Sequence, residues 1–156
     1  MITTEMLTRI PKVELHDHLD GSLRPATIIE LAKEFGLELP AKDPASLADW
    51  FHRGAGRKNL SLYLEGFEYT CGVMRSKEAI ERIARETVED LAADGVVYAE
   101  LRFAPILLVH DGLDLESIVE AALSGLEAGK KATGTAFGLI LCGMRNMSPE
   151  LSLEAA

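Results

Sequence analysis

The chain has 156 residues, 47% of them hydrophobic, which is enough for one domain with a sizeable core and too apolar for a disordered segment. Sixteen Lys and Arg stand against 25 Asp and Glu, a net charge of −9 with no basic cluster, so a nucleic-acid polymer is not an expected partner. No apolar run approaches the roughly 18–20 residues of a membrane span, and the polar start at residues 1–5 lacks the two halves of a signal peptide, which points to a cytoplasmic protein with no membrane partner.

Val13 and Leu15, two residues apart after Pro11, predict a strand over residues 12–16. Pro25 in a first-turn position, apolar residues at 28, 31, 32 and 35, and Gly36 as a stop predict a helix over 25–35. From 37 to 74 the pattern loosens. Asp43-Pro44 starts a short helix through Trp50, Ser61 caps another that carries Leu64, Phe67 and Cys71, and Gly54, Gly56, Arg57 and Lys58 form a mobile loop between them. Ser76 caps a long amphipathic helix over 77–93, closed by Asp94-Gly95. Residues 96–104, β-branched and aromatic at the front and ended by Pro105, predict a second strand.

Asp114 caps a helix from 115 to about 131, with two lysines at the negative end of its dipole. Residues 135–143 are almost wholly apolar, the pattern of a strand buried on both faces. Ser148 and Pro149 then open a helix of about two turns, after which the sequence breaks off. The order β, several helices, β, α, β implies parallel strands with helical crossovers, hence an α/β sheet or barrel. A (β/α)8 barrel needs about 250 residues. Residues 1–156 are therefore expected to be the N-terminal part of a single longer barrel, covering its first three strands and their helices.

The stretch richest in chemistry is Glu14-Leu-His-Asp-His-Leu-Asp-Gly-Ser22. His16 and His18, at i and i+2, share a face of an extended chain about 6.5 Å apart. Two imidazoles so placed are either a metal-binding pair, able to converge on one zinc at about 2.0–2.1 Å, or two structural histidines. Asp17 faces the other way, and Asp20, just past the strand, is placed to reach a substrate beside the metal. A catalytic zinc takes at least three protein ligands. The remaining histidines, His52 and His110, sit in polar segments and read as solvated loop residues. Cys71 and Cys142, isolated in apolar settings, offer neither a disulfide framework nor a Cys-x-x-Cys site and read as small core residues. Glu100 and Arg102, on one face of the second strand, read as an internal ion pair.

Leu15-His-Asp-His-Leu-Asp-Gly-Ser-Leu23, followed by Arg24-Pro25 and a helix, resembles the N-terminal signature of the adenosine deaminase family within the amidohydrolase superfamily. Residues 60–69 resemble that family's helical segment over the substrate pocket, and residues 95–105 its second barrel strand. The resemblance implies a (β/α)8 barrel with one zinc ion per complete active site. That site would hydrolyse adenosine, and 2'-deoxyadenosine, to inosine and ammonia in purine salvage, with a small-molecule purine nucleoside as partner. It makes His16 and His18 the first two zinc ligands, and sets Asp20 with His18 on the ribose side. Tyr63 and Phe67, four apart on a helix, would cover the purine; core packing is the alternative. Zinc lowers the pKa of bound water toward about 7, which makes it a nucleophile toward carbon 6. The proton-donating Glu and the other ligands of the family have no match within residues 1–156, so this chain alone is expected to be inactive.

Cytidine-type deaminases are excluded by the isolated cysteines. Dihydroorotase-like and phosphotriesterase-like enzymes share His-x-His, but the Leu-Asp-Gly continuation argues against them. Adenine and aminodeoxyfutalosine deaminases share the signature and remain open. A non-catalytic reading also stands: three parallel strands with an open edge favour a homo-oligomer, or association with a complementing C-terminal part.

Overall fold

A computed structural model describes residues 2–56, 58–110 and 112–155. Its elements are α1 (Thr4–Arg9), β1 (Lys12–His18), α2 (Pro25–Phe35), α3 (Pro44–Ala55), α4 (Leu60–Gly72), α5 (Lys77–Ala93), β2 (Val96–Phe103), a 3-10 turn at Pro105–Leu107, α6 (Leu115–Thr133), β3 (Ala136–Leu141) and α7 (Pro149–Glu154). The strands form a parallel sheet in the order β1-β2-β3, as the alternation of strands and helices requires. The expected α/β class holds, in the form of three successive strand-to-helix units. No helix among the described residues is long and apolar enough to cross a membrane.

Local signals set most boundaries. Asp43, Ser76, Asp114 and Ser148 each accept a backbone N–H three residues on, so four helices start where their capping side chains stand. One face of the sheet packs on α5 and α6, where Ala99, Leu101 and Phe103 of β2 meet Ile80, Ile83, Val88, Ile118 and Leu126, all buried. Tertiary packing also demands glycine here. A Cβ at Gly125 would collide with the Glu81 carbonyl, and one at Gly129 would lie 2.6 Å from Val88 Cβ, so α5 and α6 approach with almost no side chain between them.

Several expectations need correction. The N-terminal segment forms α1, capped by the Thr3 hydroxyl, and stands against Gly95, whose φ of 83° and contact with the Thr8 carbonyl leave no room for a Cβ. Strand β1 runs on to His18. Helix α3 passes Trp50 and continues through Gly54, which is buried within it rather than in a loop, because Phe51 packs against Gly66 of α4. Arg57, read as part of that loop, lies outside the described residues. Strand β3 is not buried on both faces: its residues are half-buried or exposed, since β3 is an edge of the sheet and its two faces are unequally covered.

The register between β1 and β2 slips twice. Val97 is an extra residue on β2, and between Glu14 and Asp17 strand β1 takes three steps where β2 takes two, from Ala99 to Leu101. The second slip is a bulge at Leu15 and His16, so it contains the first histidine of the pair. Beyond β1 the chain is tied to α5 by ion pairs. Buried Glu86 accepts the Thr27 hydroxyl at 2.6 Å and Arg82 Nε at 2.8 Å, while Arg24 pairs with Asp90 at 2.7 Å and with Glu89 at 3.1 Å.

Candidate active site

The end of β1 presents His16 and His18 together, with ring centroids 5.5 Å apart and planes tilted by 36°. Both rings are exposed. Between them Asp17 turns to the opposite side and accepts the Ser22 hydroxyl at 2.6 Å, which closes the turn after the strand. That turn is held at two further points. Leu19, fully buried, donates its N–H to the Arg102 carbonyl at 2.9 Å, and Gly21 donates to the His18 carbonyl at 2.8 Å.

Asp20 is only 4% exposed, and its Oδ1 lies 3.3 Å from His18 Nδ1. Burial pushes its carboxyl above the ordinary carboxylate range, and the His18 ring opposes that rise. An imidazole whose Nδ1–H is tied to a carboxylate presents Nε2 as a ligand, the usual arrangement around protein-bound zinc. His16 is held differently. Its backbone N–H donates to Glu14 Oε1 at 3.1 Å, and Arg102 Nη1 lies 3.0 Å from its Nδ1 and 3.1 Å from its Nε2.

Two borderline nitrogen donors, one already oriented by a buried carboxylate, fit part of a tetrahedral zinc set. Among the described residues no group of three or more His, Cys, Asp or Glu side chains is gathered to hold a metal, so the pair is an incomplete set. Phe67 stands edge-on to His18 with centroids 6.2 Å apart, and Tyr63 lies 6.3 Å from Phe67. Both rings line a cavity of about 440 Å³ whose walls include Gly21, Leu23, Trp50 and Phe51. All five expected site residues, His16, His18, Asp20, Tyr63 and Phe67, thus belong to one contiguous region built from β1, its turn and α4.

Other side chains fall elsewhere. His52 is on helix α3 at the rim of that cavity rather than in a loop, whereas His110 is an exposed loop residue whose Nε2 lies 3.0 Å from the Arg75 carbonyl. Glu100 and Arg102 do not pair. Tyr98 Oη donates to Glu100 at 3.3 Å, and Arg102 reaches across to His16. Cys71 is half-buried against the core, and desolvation pushes its thiol up to about 12. Glu14 and Arg102 are the neighbours of the histidine pair that sequence reasoning missed. Arg102 reaches His16 from the neighbouring strand, and no residue pattern within either strand announces such a contact.

The sequence profile described as adenosine deaminase matches residues 11–156. The chain belongs to the adenosine deaminase family. It is 52% identical over 136 residues to an adenosine deaminase of Mycolicibacterium gilvum, aligning 86% of this chain with 38% of that protein. It is 51% identical over 131 residues to one of Mycobacteroides abscessus, covering 83% and 36% respectively. It therefore spans under two fifths of the length of these relatives. Among solved structures, adenine deaminase from Arthrobacter aurescens superimposes with a TM-score of 0.78 at 29% identity, over 91% of this chain and 42% of that one. The Arabidopsis N6-mAMP deaminase gives 0.78 at 29%, over 97% and 46%. An amidohydrolase from Burkholderia ambifaria, solved with bound Zn, gives 0.79 at 26%, over 97% and 41%. The (β/α)8 assignment agrees with these family neighbours, of which the three parallel strands here form one part.

Proposed function

We propose that the protein works as a zinc-dependent adenosine deaminase, converting adenosine and 2'-deoxyadenosine to inosine and ammonia in cytoplasmic purine salvage, and that residues 1–156 form the N-terminal part of its single barrel. The observation that carries this reading is the histidine pair at the end of β1, with His18 Nδ1 held by buried Asp20. His16 and His18 would hold the metal. A zinc ion there would supply a water ionised near neutral pH. Asp20 keeps His18 in the tautomer that leaves Nε2 as a ligand, and stands with it on the ribose side of the nucleoside. Tyr63 and Phe67 cover the base and keep bulk water from it, their edge-to-face contact giving the aromatic wall a fixed shape.

The substrate choice rests on the relatives: those at about half identity are adenosine deaminases, whereas the adenine and N6-mAMP enzymes are matched at 29%. The deciding experiment measures zinc content and loss of the 6-amino group from adenosine, adenine and N6-methyl-AMP in the protein and in its His16→Ala and His18→Ala variants. One zinc per wild-type molecule, adenosine as the fastest substrate, and loss of both metal and turnover in each variant are expected. Full turnover in either variant would sink the proposal.

A further inference from the structure

Glu14 is an acidic side chain two residues before a metal-binding histidine, yet its carboxylate is directed at the backbone. The bulge leaves His16 out of register with β2: Glu14 pairs with Ala99 and Asp17 with Leu101, while neither Leu15 nor His16 has a partner in the ladder. His16 is exposed and donates its backbone N–H to Glu14 Oε1 at 3.1 Å. The consequence for the site is geometric. Moving the extra residue by one position would exchange the faces of Leu15 and His16, since neighbouring side chains in a strand point oppositely. The imidazole would then leave the side on which His18 stands. Asp20 fixes the ring of His18. His16 has no such carboxylate on its ring, where it meets Arg102 instead, so its aim depends on the backbone beneath it.

We infer that Glu14 is a positioning residue for the metal site: its carboxylate pins the β1 bulge through the His16 N–H and so directs that imidazole toward the ion shared with His18. This rests on the zinc reading above and adds a residue to it. The test is zinc affinity, measured by competition with a chromophoric chelator, together with the visible spectrum of the cobalt-substituted protein. Glu14→Ala should weaken zinc binding about tenfold or more, the range seen when groups that orient metal ligands are removed, and should shift the cobalt bands. Glu14→Gln keeps an oxygen acceptor without the charge and should restore most of the affinity.

Wild-type affinity in Glu14→Ala overturns the inference. So does a Glu14→Gln variant as weak as Glu14→Ala, since the negative charge and not the hydrogen bond would then be responsible. A protein that binds no zinc at His16 and His18, shown by unchanged metal content in His16→Ala, overturns the zinc reading and this inference together. Should Glu14→Ala fail to fold, hydrogen exchange at the wild-type His16 amide decides: slow exchange supports the hydrogen bond, and exchange at the unprotected rate refutes it.

Discussion

At the scale of single residues, position relative to the core decides what each ionisable group can do. Asp20 and Cys71 both sit where water is scarce, and desolvation raises the pKa of both. For Cys71 the sign of the pH effect is definite. Its thiol ionises at about 12 in the folded chain against 9.0 for a free cysteine. The unfolded chain therefore sheds its proton first as pH rises, and stability falls between those two values by about 1.4 kcal/mol per pH unit from this group. Urea unfolding of the wild type and Cys71→Ala should diverge in slope above pH 9 and run parallel below it; parallel curves throughout would contradict the burial of this thiol. His18 shows the same principle in the site. The residue was readable as a candidate ligand from its spacing, but the carboxylate that orients it was assigned a substrate role, because distance between side chains is invisible in a linear pattern.

At the scale of elements, capping side chains and glycine stops outlined α2, α5 and α6 closely, since those signals act on the nearest turn of backbone. Contact between elements followed other rules. Gly125 and Gly129, one helical turn apart on α6, let it ride directly on α5 at Glu81, Ala84, Arg85 and Val88. Gly125→Ala should destabilise the chain by about 1–3 kcal/mol despite the better helix propensity of alanine, because the added methyl overlaps a carbonyl that cannot move cheaply. Gly54→Ala is the control: it sits in the last turn of α3 with nothing within 4 Å of its Cβ position, and should be neutral or stabilising by up to about 1 kcal/mol. Equal effects of the two substitutions on the urea midpoint would mean that α5 and α6 are not in close contact.

At the scale of the whole molecule, the sheet has two open edges, β1 and β3, and leaves Val13 and Leu15 more than half exposed. Edges and apolar strand residues of this kind invite further pairing. Residues 1–156 produced alone should elute from size-exclusion chromatography as an associated species, and a clean monomer would contradict this. The same preparation should show no adenosine conversion, because on the proposed reading it supplies only His16 and His18 to the zinc, and among the described residues no third ligand is gathered beside them. Measurable turnover by the purified 156-residue chain would refute that expectation.

The linear order of residues was sufficient for the alternation of strands and helices, for the family signature from Leu15 to Leu23 and for the candidate ligands His16 and His18, because periodicity, caps and short motifs all act over a few neighbouring residues. It did not reveal the bulge at β1, the Arg102–His16 contact 86 residues apart, the continuation of α3 through Gly54, or the burial of Asp20 against His18. Each of these depends on which surfaces meet when β1, β2 and α4 pack, a competition among distant contacts that local propensity does not encode.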